Sequence, residues 1–144
     1  MIIVADTSAL FAGFDADQPE QSSIAAIMDA ETLAISPLVL TELDHLVHRD
    51  LGFSAAVQVI GALTDRMADG QYRLAELKPA DIVAAQAIRV KYQALALDLA
   101  DAVGVILADR YKTDCILTLD QRDYRAITPL TAGMTAFRIL PADL

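Results

Sequence analysis

The chain has 144 residues, of which 55% are hydrophobic and only one is cysteine, and its formal net charge is −9. This length suits one domain with a substantial core, and a single cysteine excludes a disulfide framework. The acidic balance argues against nucleic-acid binding, although eight of the eleven basic residues lie from Lys78 onward and bound cations would offset a local cluster of acids.

Residues 1–14 predict a buried strand that enters a helix. The apolar run reaches Ala5, and Asp6, Thr7 and Ser8 precede a helical apolar pattern. Asp6 then lies at the carboxyl end of the first strand, where ligands bind in open α/β sheets; alternatively, Asp6 or Thr7 merely caps the helix. The run lacks a basic leader and is interrupted by Asp6, so we expect a cytoplasmic protein without signal peptide or membrane span.

The remaining pattern alternates between helices and short apolar strands. It predicts strands at 33–35, 72–77, 115–119 and 137–140, and helices from a Ser22 cap to Ala30, from Pro37 to Gly52, from a Ser54 cap to Gly70, from Pro79 to Gln93 and from Leu97 to Lys112. The helix after Ser54 is expected to bury Val57, Ile60, Leu63 and Met67. The alternation indicates an α/β fold with one domain over 1–144, in which helices cover both faces of a parallel sheet of four or five strands.

Three further carboxylates occur in settings similar to that of Asp6. Asp120 follows the 115–119 strand, and Glu42 and Asp101 lie early in helices. Parallel strands present their carboxyl ends and the following helix N-termini at one edge, so we expect these four carboxylates to share a cleft. Four such groups repel one another unless a cation joins them, and Mg²⁺ or Mn²⁺ prefers oxygen ligands. Such ions support phosphodiester hydrolysis without a nucleophilic side chain.

Neighbouring polar residues have two interpretations each. Asp98 is a metal ligand or, as we favour, a helix cap or a residue that supports the site without binding the ion, and Asp123 binds a metal-bound water or is a turn residue. The hydroxyls of Thr7, Ser8 and Thr118 orient carboxylates and water, or satisfy local backbone groups. Four basic residues around the last strand hold RNA phosphates or form a solvated rim: Arg110, Lys112, Arg122 and Arg125.

Four segments together resemble the PIN-domain ribonucleases, and more narrowly the VapC-type toxins of bacterial toxin–antitoxin pairs. The segments are Asp6-Thr7-Ser8-Ala9, Ser36-Pro37 with Thr41-Glu42-Leu43, Leu99-Ala100-Asp101-Ala102, and Thr118-Leu119-Asp120-Gln121-Arg122-Asp123-Tyr124. Their order and spacing match over nearly the whole chain.

The resemblance implies a Mg²⁺- or Mn²⁺-dependent endoribonuclease whose catalytic and metal-binding residues are Asp6, Glu42, Asp101 and Asp120. Thr118 and Asp123 match positions that support the site, whereas the resemblance assigns no catalytic role to Asp98. Members of this family typically form homodimers, pair with a small antitoxin protein, and cut structured RNA such as tRNA or rRNA.

Two other classes of protein share parts of this pattern. A phospho-receiver module has acids at strand ends, but it also needs an early acidic pair and a late strand-end lysine. Neither feature is present here, since Asp6 has no acidic neighbour and no lysine follows a late strand. A non-catalytic interaction domain is the other alternative, and the four intact carboxylates argue against it.

Overall fold

A five-stranded parallel sheet forms the centre of the structure, a computed structural model that describes residues 1–144. The elements in chain order are β1 (Ile2–Ala5), α1 (Thr7–Phe14), α2 (Gln21–Ala30), β2 (Thr32–Ile35), α3 (Pro37–Leu51), α4 (Phe53–Ala68), β3 (Tyr72–Leu74), α5 (Pro79–Lys91), α6 (Leu99–Arg110), β4 (Cys115–Leu117), α7 (Gln121–Ala126) and β5 (Arg138–Leu140). A short 3-10 turn, Gln93–Leu95, connects α5 to α6. The predicted α/β alternation is confirmed.

The strand order is β3-β2-β1-β4-β5, so β1 lies in the middle of the sheet. All four pairings are parallel, and Val4 pairs with Ala34 on one side and Ile116 on the other. The chain proceeds from β1 toward one edge and later returns to the other side of β1. The strand order therefore reverses between β1 and β4, which is where open α/β sheets bind ligands.

Helices cover both faces of the sheet, as predicted. Side chains of a strand alternate between faces, and in β1 the buried Ile3 and Ala5 pack into one core while Val4 packs into the other. The first core includes residues of α1 to α4, and the second is built mainly from α5, α6 and α7. Both faces are apolar, which accounts for the high hydrophobic content of the chain.

Two predicted helix caps are wrong. The helix predicted from a Ser22 cap begins at Gln21, and the one predicted from a Ser54 cap begins at Phe53. In the second case Gly52, with a φ of 97°, ends α3 and directly precedes α4. This positive φ, which glycine adopts without steric cost, lets Gly52 serve both as the C-cap of α3 and as the N-cap of α4, so no residue remains for a separate cap.

The predicted core face of α4 is also partly wrong. Val57 is 55% exposed, and the buried residues are Ala56, Val59 and Leu63. Leu63 belongs to both the predicted and the observed apolar stripe. Close packing against α3 places the small Ala56 inward, which turns Val57 toward solvent.

Several elements are shorter than predicted, and one was missed. The strand predicted at 72–77 ends at Leu74, that at 115–119 ends at Leu117, and that at 137–140 begins at Arg138. The long helix predicted over 97–112 spans Leu99–Arg110, and α7 was not predicted. None of the helices combines the length and apolar composition needed to cross a bilayer.

Candidate metal-binding edge of the sheet

Asp6 lies where β1 ends, beside the end of β4. Its backbone N–H donates a hydrogen bond of 2.9 Å to the carbonyl of Leu117, so the parallel pairing continues one residue beyond β1. The Asp6 side chain is buried, with 8% of the residue exposed. Burial raises its pKa above the ordinary value, and Asp120 and Asp98 raise it further, although the Thr118 hydroxyl and the Thr7 N–H lower it.

Two of the predicted supporting hydroxyls contact Asp6. Thr118 Oγ1 donates to Asp6 Oδ2 at 2.8 Å, and Ser8 Oγ lies 3.4 Å from the same oxygen and 3.2 Å from Thr118 Oγ1. The same hydroxyls accept backbone N–H groups of the loop that follows β4, since Leu119 donates to Ser8 Oγ at 3.0 Å and Asp120 donates to Thr118 Oγ1 at 2.9 Å. Ser8 and Thr118 thus join the ends of β1 and β4.

The third predicted supporting hydroxyl, that of Thr7, makes no such contact. Its Oγ1 is buried and has no hydrogen-bond partner within the protein. Thr7 instead acts on Asp6 through its backbone N–H, which lowers the pKa of the Asp6 carboxyl.

Asp98 and Asp101 occupy the N-terminus of α6. Asp98 is the N-cap, and its Oδ1 accepts a 3.0 Å hydrogen bond from the backbone N–H of Asp101. Burial raises the pKa of Asp101 to about 8, with added contributions from the charges of Asp6, Asp98 and Asp120. The predicted cap interpretation of Asp98 is therefore confirmed, and its carboxylate still adds to the local negative charge.

Asp120 and Asp123 come together at the start of α7. Asp120 is the N-cap, and its Oδ1 accepts from the backbone N–H of Asp123 at a long 3.4 Å. One carboxylate oxygen from each of Asp101, Asp120 and Asp123 lies within 4.8 Å of the other two. Partial burial raises the pKa of Asp123, and the neighbouring Asp120 raises it further. Asp123 is thus a member of the carboxylate cluster and lies on a helix rather than in a turn.

Glu42 lies at the mouth of this edge, one turn into α3. It is exposed, and it lines a surface depression of about 380 Å³ together with Leu38, Thr41, Asp98, Leu99 and Ala100. Partial burial raises the pKa of Glu42, as do the charges of Asp98 and Asp6. Glu42 is close enough for the charges of Asp98 and Asp6 to raise its pKa, but it does not belong to the group of Asp101, Asp120 and Asp123, whose carboxylate oxygens lie within 4.8 Å of one another.

The composition of the site fits a hard divalent cation. Six acids meet at one edge, and none of them forms an ion pair with a lysine or arginine: Asp6, Glu42, Asp98, Asp101, Asp120 and Asp123. Their donor atoms are all oxygens, the ligand type that Mg²⁺ and Mn²⁺ prefer. No lysine or arginine pairs with these acids, so the protein alone does not neutralise their charge, whereas a bound cation would.

Tyr124 is the residue at this edge that sequence reasoning missed. It lies on α7, is 2% exposed, and its hydroxyl is 3.4 Å from the backbone carbonyl oxygen of Asp101. The spacing of Asp120 and Asp123 was a usable signal for α7, because an N-cap acid followed three residues later by a second acid marks a helix start.

Comparisons with known proteins agree with this architecture. The family model described as PIN domain matches residues 3–128. Ribonuclease VapC26 of Mycobacterium tuberculosis is 40% identical over 141 residues, which cover 96% of this chain and 100% of that protein.

Two solved structures share the fold at 18% identity. The crystal structure of Mycobacterium tuberculosis VapC20, a sarcin–ricin loop cleaving toxin, gives a TM-score of 0.72 and covers 83% of this chain and 90% of its own. A toxin–antitoxin complex from Klebsiella pneumoniae gives a TM-score of 0.60 over 90% of this chain and 98% of that one.

The pKa of Asp101 predicts how the stability of the metal-free protein depends on pH. An aspartate whose pKa is higher in the folded state binds more protons when folded, so its contribution to stability is lost as pH rises from about 4 to about 8. Asp101→Asn should therefore flatten the decline of the melting temperature over this window in EDTA. The variant should be more stable than the parent protein at pH 8 and above.

Asp65→Asn is the matched control, since Asp65 is exposed on α4 and forms no ion pair. Its melting temperatures should follow those of the parent protein at every pH. Parallel curves for Asp101→Asn and the parent protein would contradict the prediction.

Proposed function

Because this chain belongs to the PIN domain family, we propose that it is a divalent-metal-dependent endoribonuclease and the toxin of a toxin–antitoxin pair. The observation that carries the proposal is the meeting of six unpaired carboxylates at the reversal point of the sheet. The similarity to Ribonuclease VapC26 over nearly the whole chain supports RNA as the substrate. We take residues 1–144 to be a single nuclease domain that acts in the cytoplasm.

Mg²⁺ or Mn²⁺ would be held by Asp6, Glu42, Asp101 and Asp120, as the resemblance implies. Asp123 joins this set, because one of its carboxylate oxygens lies within 4.8 Å of an oxygen of Asp101 and of Asp120. When bound, such an ion neutralises the cluster, polarises a phosphoryl oxygen and lowers the pKa of a bound water. Ser8 and Thr118 fix the orientation of Asp6 through their hydroxyls.

The proposed reaction is hydrolysis of a phosphodiester bond. A water oxygen forms a bond to phosphorus in line with the bond to the 3′-oxygen, which breaks. The attacking water releases one proton, which we assign to the carboxylate of Asp123, the member of the cluster on the short α7. The leaving 3′-oxygen takes up one proton from solvent, so the products carry a 5′-phosphate and a 3′-hydroxyl.

Arg122 is the basic residue best placed to contact an RNA phosphate near this cluster. It is exposed in the first turn of α7, next to Asp123, and forms no ion pair. The three other candidates are already engaged, since Arg110 pairs with Asp81, Lys112 with Asp109, and Arg125 with Asp143. The structure thus favours the phosphate-binding interpretation for Arg122 over a general basic rim.

Exposed apolar side chains support the proposed partners, a second copy of the chain and a small antitoxin. Val83 and Val90 are 70% and 72% exposed and lie two turns apart on α5. Phe53 and Val57 form a second apolar surface at the start of α4, with 69% and 55% exposed. We assign the exposed valines of α5 to a two-fold contact between identical chains, and the α4 surface to the antitoxin.

The nuclease proposal predicts that cleavage of RNA requires both the ion and the acids. EDTA should abolish cleavage and added Mg²⁺ or Mn²⁺ should restore it. Asp6→Asn and Asp120→Asn should each lower the rate about 100-fold or more, because several kcal/mol of transition-state stabilisation is lost. The measurement is cleavage of end-labelled cellular RNA, with sequencing of the new ends.

Asp65→Asn again provides the control, and each variant should keep the circular dichroism spectrum of the parent protein. Full cleavage by folded Asp6→Asn, or cleavage that persists in EDTA, would refute the proposal.

Arg122→Ala should weaken RNA binding without altering the chemical step. KM should rise while kcat stays unchanged, and the slope of log affinity against log salt should become shallower by about 0.7 to 0.9, the value for one phosphate contact. Arg125→Ala on the same helix is the control, because the Arg125 guanidinium already forms an ion pair with the Asp143 carboxylate. An unchanged KM and salt slope in Arg122→Ala would argue against the contact.

The double variant Val83→Glu with Val90→Glu should be monomeric. Paired negative charges would face each other across a two-fold interface and repel, whereas the parent protein should have twice the 15.5 kDa chain mass. Light scattering after gel filtration measures this, and Val57→Glu should leave the dimer intact. A dimeric double variant would rule out α5 as the interface.

A further inference from the structure

Gly104 occupies an unusual place, the buried middle of α6. Glycine inside a helix costs about 0.5–1 kcal/mol relative to alanine, so it calls for a packing reason. The reason is Tyr124: a Cβ atom on Gly104 would lie 2.8 Å from the Tyr124 hydroxyl oxygen and 3.8 Å from the adjoining ring carbon Cζ. The first distance is a clash and the second is an ordinary contact. The hydroxyl alone therefore excludes a side chain at position 104.

Tyr124 is held firmly in this position. The side chain is buried, and its ring packs edge-to-face against Phe137 with 5.9 Å between centroids. Its hydroxyl donates to the backbone carbonyl of Asp101 at 3.4 Å, one turn before Gly104 on α6. Burial raises the pKa of this hydroxyl well above its ordinary value, so it remains a neutral donor.

The contact joins the two helices that carry the carboxylate cluster. Asp101 lies in the first turn of α6, whereas Asp123 adjoins Tyr124 on α7 and Asp120 caps that helix. The charges on these three groups repel, so some contact must fix the distance between the helices before a cation binds. We propose that Tyr124, which packs against Gly104, is a positioning residue. It sets the separation of Asp101 from Asp120 and Asp123, and thereby the affinity of the cluster for a divalent cation.

This inference rests on the proposed function only in assigning the cluster to a metal ion, and it is tested by metal binding without RNA. The variants are Tyr124→Phe, Gly104→Ala and the two together, and the measurement is calorimetric titration of the metal-free protein with Mn²⁺. Gly104→Ala should weaken Mn²⁺ binding about 10-fold or more, the usual loss when support for a metal ligand is removed. Tyr124→Phe should weaken it several-fold.

The double variant should recover most of the lost affinity and bind Mn²⁺ more tightly than either single variant. Its alanine methyl group fills the space left by the hydroxyl, at the ordinary contact distance from Cζ. Such non-additivity is the signature of two residues acting through one contact. If Gly104→Ala fails to fold, comparing the Mn²⁺ affinity of Tyr124→Phe with that of the double variant still tests whether the two residues act through one contact.

Tyr72→Phe is the matched control, because it also removes a buried hydroxyl, one that donates to the Met28 carbonyl at 2.8 Å outside the cluster. It should lower the melting temperature and leave Mn²⁺ affinity unchanged. Parent-like Mn²⁺ affinity in Tyr124→Phe or in folded Gly104→Ala would overturn the inference, as would a double variant no better than Tyr124→Phe.

The two proposals fail in different ways. A protein that binds Mn²⁺ with this pattern but cuts no RNA would refute the nuclease and leave the positioning role intact. A protein that cuts RNA and binds Mn²⁺ equally well in all variants would refute only the positioning role. Absence of Mn²⁺ binding by the parent protein would refute both.

Discussion

The parallel pairing of β1 with β4 is the constraint on which the site depends. These strands are far apart in sequence, and their pairing brings Asp6 and Thr118 to one point, 2.8 Å apart at their side chains. The chain leaves β1 toward β2 and comes back to β4 on the other side, so the following helices diverge and leave the strand ends accessible. Glu42 reaches this opening from the helix after β2, and Asp120 from the loop after β4. The topology thus brings to one edge Asp6, Glu42 and Asp120, which are far apart in sequence.

The fold orders these acids without neutralising them. The carboxylates of Asp6, Asp98 and Asp120 accept hydrogen bonds from hydroxyl or backbone groups, which fix their positions and carry no net charge. The negative charge is left for a cation to balance, and this local imbalance accounts for part of the net charge of −9. A chain with negative net charge can act on RNA when positive charge is concentrated where the phosphate binds. In the proposed function, a cation bound by the cluster and the exposed Arg122 would supply positive charge at the phosphate, so the rest of the surface need not be basic.

Much of the fold and of the candidate site could be predicted because both depend on simple periodic signals. Strands such as 115–117 are short and apolar on both sides, and an acid at the end of a parallel strand must lie at the ligand-binding edge. The face of α4 was mispredicted because Leu63 fits two overlapping apolar stripes, and only packing against α3 decides between them. The membership of Asp123 in the cluster was left open, because it depends on a helix of six residues, too short to show a period.

That short helix also explains why part of the site geometry is set by tertiary contacts. A helix of six residues has no stability of its own, since isolated helices need roughly 12–15 residues to form in water. The position of α7, and with it Asp120 and Asp123, is therefore imposed by tertiary contacts, chiefly those of its one buried side chain, Tyr124, and of Ile127, which is buried at the C-cap. Asp101 instead belongs to a helix of twelve residues that the core holds along its whole length. A site divided between these two helices needs a contact between them near the charged groups. The buried Tyr124 of α7 supplies one, because its hydroxyl donates to the backbone carbonyl of Asp101 and lies against Gly104 of α6.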